Sequence, residues 1–230
     1  MDCKLRMEER IFGGKFFRPL PKIHFDPNLG TSLFVTPWGD PTPGEQVIEQ
    51  ITNFMSLNSG DSEVTVPYPK KRMMSPEGNT LRMGIILASE KISKQYNKDE
   101  YISGFEILAC QLSKNKLTYI SSGQPNLLYC KPKKGLFPLN VNHDLNFQSS
   151  PIDFLSPLPN YLLGIDQHPP LNFGSQIVEP GDFCIAISRS YLPTELFSTE
   201  SSQLDLNTIS NILAKDSADT PFWLGLIHFE

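Results

Sequence analysis

The sequence predicts an α+β protein, an antiparallel sheet system packed by helices, and three observations carry that prediction. First, 20 of the 230 residues are proline, about 9% against a usual figure of about 5%. Such a density rules out a helix bundle, a coiled coil or a repeat solenoid, because proline interrupts helices and central strands. Second, the prolines leave two long gaps, residues 44–66 and 77–124. Third, within the second gap the apolar spacing changes from about 3.6 to about 2 residues, from helix to strand. At 39% hydrophobic and 20% charged the chain is globular, and its length suffices to bury a core without disulfides or metals. A single domain over 1–230 is expected.

Taken in order, the first element is a strand over 31–36 (TSLFVT). The first gap holds a helix of about three to four turns, with Val47, Ile48, Ile51, Phe54 and Met55 at helical spacing and Glu45 at its positive end. A polar loop over 58–74 carries GDS and PYPKKR. Ser75 is the N-cap of a second helix, Pro76 its first residue, and Leu81, Gly84, Ile85, Ala88, Ile92 and Tyr96 its contact face. Alternation then predicts strands over 104–112 and 117–122 joined by a turn at SKNK, a third over 126–131, and a fourth over 136–139 after KPKKG. Glu179-Pro180-Gly181-Asp182 is a turn leading into a strand over 183–188. A helix over 203–215, with Leu204, Leu206, Ile209, Ile212 and Leu213 on one face, precedes a last strand over 222–229.

Composition also excludes functions. The net charge of −5 is spread among interspersed acidic and basic residues, which argues against a nucleic-acid surface or a polybasic membrane patch. The charged start lacks a signal-peptide core, and no apolar run approaches the roughly 18 residues of a membrane span. A soluble cytoplasmic protein is expected. Cys3, Cys110, Cys130 and Cys184 are scattered without zinc-ligand spacing and read as free, buried thiols. His24, His143, His168 and His228 read as structural or solvated histidines. Gly13-Gly14-Lys15 lacks the spacing of a phosphate loop and reads as a turn. Neither Ser122-Gly123 nor Gly174-Ser175 has the surroundings of a nucleophile elbow. The basic cluster Lys70-Lys71-Arg72 has two readings, a solvated loop or a dock for an acidic or phosphorylated segment.

Several short segments then fall in one order. LFVTPWGDPTPGEQV (33–47) resembles the V-A-D-G strand end, small-residue loop and G-E helix start of the metal-dependent PPM-type (type 2C) serine/threonine protein phosphatases. Residues 104–129 are similar to that family's strand-turn-strand with its G-D-S-R-x-Y-L run. Leu139-Asn140-Val141-Asn142-His143 resembles its L-T-x-D-H element. Leu163-Gly164, Pro180-Gly181-Asp182 and Ile187-Ser188-Arg189-Ser190-Tyr191 are similar to its Leu-Gly pair, P-G-D turn and S-D-G-L strand end. The resemblance runs from about Gly13 to the C-terminus. It implies two stacked antiparallel β-sheets flanked by helix pairs, and an activity in which aspartates hold two divalent ions that activate a bridging water.

The residues at those positions do not support that chemistry. Magnesium or manganese takes about six oxygen ligands, so carboxylates must converge. Where the resemblance implies the bridging aspartate of V-A-D-G, the sequence has Trp38, followed by Gly39 and Asp40. Where it implies the aspartate of S-D-G, there is Arg189, a permanent cation. G-D-S-R reads Gly123-Gln124-Pro125-Asn126, and Arg18 is the one remnant of the N-terminal R-x-x-N-E-D pattern. Asp219, matching D-N-x-T, is the only metal carboxylate left in place. Asp40 has two readings, a turn residue or a ligand shifted in register. Trp38 reads as a loop residue that plugs the old metal cleft or anchors a partner. Pro37, Pro41, Pro43, Pro125 and Pro221 fall in the segments implied to support the metals and read as rigid loop positions there.

The expected function is that of a pseudophosphatase: no catalytic residues, no cofactor, and a protein partner, a phosphoprotein included, with Arg18 and Arg189 as phosphate or partner contacts. No nucleic acid or membrane is expected. The alternative is a weak or atypical metal-dependent phosphatase using two magnesium or manganese ions, with Asp219, Asp40 and Asp26 as its carboxylates.

Overall fold

Ten strands form two five-stranded antiparallel sheets, accompanied among the described residues by four α-helices. The structure, a computed structural model, describes residues 3–58, 68–142, 145, 157–166 and 170–230. The strands are β1 (Leu5–Phe12), β2 (Lys22–Asp26), β3 (Thr31–Gly39), β4 (Ser103–Ser113), β5 (Lys116–Ser122), β6 (Asn126–Lys131), β7 (Gly135–Asn140), β8 (Asn172–Ile177), β9 (Phe183–Ser188) and β10 (Phe222–Phe229). The helices are α1 (Pro43–Leu57), α2 (Pro76–Tyr96), α3 (Thr194–Ser198) and α4 (Leu206–Asp216). Two compact units divide the chain. One comprises Pro21–Ser122 and Tyr161–Ile177, the other Met1–Leu20, Gly123–Asn160 and Val178–Glu230.

The first unit contains the sheet β2-β3-β4-β5-β8 with α1 and α2. Odd-numbered residues of β3 and β4 (Leu33, Val35, Ile107, Ala109) meet Val47 and Ile51 of α1 and Leu81, Ile85, Ala88 and Ile92 of α2 in one apolar cluster. This is the helix face that the 3.6-residue spacing marks. Gly84 faces Ile51 across the helix contact, where a Cβ would lie 3.5 Å from Ile51 Cα, an ordinary packing distance. Ser75 caps α2 as expected, its Oγ accepting the Gly78 N–H at 3.1 Å, with Pro76 in the first turn.

The second unit contains the sheet β1-β10-β9-β6-β7 with α3 and α4. Ile185, Ile187, Leu224 and Leu226 of β9 and β10 pack with Leu196, Ile209 and Leu213 of the helices. Here the helix expected over 203–215 starts later. Residues Ser201–Gln203 form a 3₁₀ turn, and Asp205 is the true N-cap, its carboxylate accepting the Thr208 N–H at 2.7 Å.

Strands β1, β2 and β8 and helix α3 are additions to the expected elements. Each of these strands is an outer member of its sheet, where charged and exposed side chains are tolerated and the apolar alternation is diluted. A further correction concerns Pro37 and Trp38, which belong to β3 and not to a loop. Opposite Pro37, Phe105 directs both its N–H and its C=O to Leu163, so Pro37 sits in a non-hydrogen-bonded pair. The N–H it lacks would point toward the other edge, where β2 starts only at Lys22, opposite Val35. Pro43, likewise, opens α1.

Candidate functional site

The sequence-derived candidates lie in both units, and each set is built from its own strands. In the first unit, β3 runs on to Gly39, which takes φ +78° where a Cβ would fall 2.2 Å from the Ile102 carbonyl oxygen. Only glycine fits this close approach. The half-buried Trp38 donates its indole N–H to Glu106 Oε2 at 2.9 Å. Glu106 lies on β4 opposite Thr36 and is 4% exposed. Sequence reasoning missed this carboxylate, although a lone glutamate inside the apolar run Phe105-Glu106-Ile107-Leu108 is a visible signal for a buried partner.

Asp40 is tied to the turn that opens α1. Its Oδ1 accepts the Thr42 N–H at 2.9 Å and the Thr42 hydroxyl at 2.6 Å, and these bonds hold its carboxyl below the ordinary aspartate range. Its backbone is fixed as well: its N–H donates to the Ile102 carbonyl, and its own carbonyl accepts the Ser103 hydroxyl. Of its two readings, the turn residue is the one that the geometry supports. Asp26 is in a similar position, its Oδ1 accepting the N–H groups of Asn28 and Leu29.

In the second unit, several motif segments converge. Arg18 donates to Gln124 Oε1 at 2.7 Å and to the Ser190 hydroxyl at 2.9 Å. Asn126 donates to the Arg189 carbonyl, and its own Oδ1 accepts the Asn142 N–H, while Asn142 Nδ2 donates to the Gly123 carbonyl. The segments that resemble G-D-S-R, L-T-x-D-H and S-D-G-L are thus joined by neutral amides and an arginine. Arg189 is 2% exposed; its Nη1 donates to the Leu213 carbonyl and its Nη2 pairs with Asp216 at 2.8 Å. Arg18, 8% exposed, and Arg189 are thus both largely buried, and each guanidinium group is hydrogen-bonded within the unit.

Asp219 is partly exposed and pairs with Lys15 at 2.9 Å, while its carbonyl accepts the Lys15 N–H. Gly14 is pressed against the same carbonyl, 2.3 Å from where its Cβ would be, which gives the glycine at this position its structural reason. The P-G-D turn is also structural. Asp182, 3% exposed, accepts the Tyr129 hydroxyl and the Glu179 N–H, and burial together with that carboxylate pushes the Tyr129 phenol up.

In neither unit do the donors that these segments supply fit a pair of hard divalent ions. Where the resemblance implies carboxylates, Trp38 donates to Glu106 and Arg189 to Leu213, while Asp40 accepts from Thr42 and Asp219 pairs with Lys15. Among the described residues no three His, Cys, Asp or Glu side chains gather as a metal site needs. All four cysteines are buried and none forms a disulfide, as expected, and burial pushes the Cys110 thiol up to about 12. His228 lies in β10 with its Nε2 3.8 Å from Glu8. His143, Asp144, His168 and residues 59–67 of the expected loop lie outside the described residues. No helix among the described residues is long and apolar enough to cross a membrane.

No protein-family model matches the sequence, and neither does any curated protein. Solved structures do match over nearly the whole chain. PppA, described as a key regulatory component of T6SS in Pseudomonas aeruginosa, superposes with a TM-score of 0.69 at 13% identity, covering 99% of this chain and 98% of its own. The PPM Ser-Thr phosphatase MsPP from Mycobacterium smegmatis, in complex with cacodylate, gives 0.63 at 12% identity with 98% of each chain covered. The serine/threonine phosphatase PstP/Ppp of Mycobacterium tuberculosis gives 0.63 at 11% identity with 99% of each covered. This chain thus shares the fold of the PPM serine/threonine phosphatases.

Proposed function

We propose that the chain is a catalytically inactive, PPM-type phosphatase-like protein, a single-domain pseudophosphatase that acts in the cytoplasm as a protein-binding or regulatory module. The observation that carries this reading is Arg189. A buried cation stands at the end of β9, where the resemblance implies a metal carboxylate, and it is engaged by Leu213 and Asp216. A guanidinium contributes no lone pair to a metal and repels a dication. Trp38, bonded to Glu106, removes a second ligand position. Four buried cysteines, none in a disulfide, accord with a reducing compartment. Without turnover, the surface that a phosphatase offers to its substrate serves for binding, and the partner is a protein, with a phosphoprotein held but not hydrolysed as the specific form.

Isothermal titration with manganese and magnesium, paired with a para-nitrophenyl phosphate assay, tests the reading. The expected result is no saturable binding of two ions and no manganese-dependent turnover. Two-ion binding, or turnover that Asp219→Ala abolishes, would instead establish an atypical metal-dependent phosphatase.

A further inference from the structure

Within the unit that carries α1 and α2 lies a pocket of about 920 Å³, in the size range of small-molecule sites. Phe54 and Met55 of α1, Met74 just before α2 and Met83 within it supply apolar wall. Three flexible, polarisable thioethers give that wall the capacity to follow the shape of an apolar guest. Lys71 and Arg72 line the same pocket, and both are exposed without a salt bridge among the described residues.

The basic segment is held in place by Asn79, a residue of the first turns of α2 that is 7% exposed. Its Oδ1 accepts the Lys71 N–H at 2.7 Å, and its Nδ2 donates to the carbonyls of Lys71, Met74 and Ser75. A buried amide with four bonds to one short segment fixes the backbone on both sides of Arg72, which lowers the ordering cost of binding an anion there. Two carboxylates also line the pocket, Asp26 and Glu77. The first has an oxygen engaged by the N–H groups of Asn28 and Leu29, and the second lies in the first turn of α2, where the helix dipole favours it. Neither pairs with Lys71 or Arg72.

We propose that this pocket binds a small amphipathic anion, its apolar body against Phe54, Met55, Met74 and Met83 and its carboxylate or phosphate at Lys71 and Arg72. The site lies within one unit and is independent of whether the chain hydrolyses phosphate esters.

The test uses the full chain labelled with [¹³C-methyl]methionine and titrated with dodecanoate, dodecyl phosphate and dodecyltrimethylammonium below their micellar concentrations. The expected result is a saturable shift of the Met55, Met74 and Met83 methyl signals with at least one of the two anions, the tighter one identifying the head group. Met7, in β1, stays unshifted, and the cation has no effect. Lys71→Glu combined with Arg72→Glu, on the exposed rim, weakens binding about tenfold or more, and Met55→Trp, which fills the pocket, abolishes it. No saturable shift with either anion, equal binding of the cation, shifts that spread to Met7, or unchanged affinity in the rim variant overturns the proposal.

Discussion

Arg189 reaches the last turn of α4, where it donates to the Leu213 carbonyl and pairs with Asp216. A cation there adds a donor to a carbonyl that also accepts the Ser217 N–H and complements the negative end of the dipole, so the residue has a structural reason to be what it is. Arg189→Asp would set a buried carboxylate against that carbonyl and against Asp216. The expected loss is about 3 kcal/mol, at the lower end for a broken buried pair because Asp216 keeps access to water. Urea unfolding measures it, and no turnover of para-nitrophenyl phosphate is regained. His228 offers a second check. Burial, and then Arg6, hold its pKa below the ordinary histidine value of 6.5, against smaller opposing effects of Glu8 and Glu230. Because the unfolded chain takes up the proton first, stability is complete above about pH 6.5 and falls as the pH drops below it. Urea midpoints at pH 7.5 and 5.5 are expected to show that slope, reduced in His228→Gln; an equal slope in both proteins contradicts it. That Trp38 and Arg189 stand where the resemblance implies aspartates is plain in the sequence. The partners of Trp38 and Arg189 are not, because Glu106 lies on a neighbouring strand and Leu213 on a helix 24 residues away.

At the level of elements, helix starts are written locally. Ser75 and Pro76 mark the beginning of α2, and removing the cap in Ser75→Ala is expected to cost about 1 kcal/mol, read as a lower thermal midpoint. Gly39 is a stronger constraint on the end of β3. Its positive φ and the Ile102 carbonyl both oppose a side chain, so Gly39→Ala is expected to cost more than about 1 kcal/mol, measured by the same unfolding curves. The outer strands were less legible. In β1, Arg6, Glu9 and Arg10 sit among Leu5, Met7 and Ile11, and β8 is largely exposed. Such residues read as loop because a strand with one free edge does not need a continuous apolar face. Trp38 read as loop for a different reason: Pro37 before it hides a strand whose proline faces an unpaired side.

In the whole molecule, strands far apart in sequence become neighbours. Leu5 of β1 pairs with Phe229 of β10, and β9 lies between β10 and β6. All four thiols end up buried in this arrangement. A thiol reagent such as 5,5′-dithiobis(2-nitrobenzoate) is therefore expected to label none of them rapidly in native protein and all four in urea; fast labelling of any one without denaturant would contradict the packing. Thiolate is the reactive form, and burial suppresses both its formation and its access.

By itself, the sequence determined the α+β class, the long helices and the cap of α2, the central strands, and which residue types stand where the resemblance implies metal carboxylates. These are matters of composition and of spacing within a few residues, and the physics behind them is local. Tertiary structure alone decided that Asp40 serves a turn, that Arg18 joins Gln124 to Ser190, that Arg189 closes a helix end, and that Lys71 and Arg72 border a methionine-lined pocket. Each of those outcomes depends on which distant groups share a buried space, and that is set by strand pairing and burial, not by neighbours in the chain.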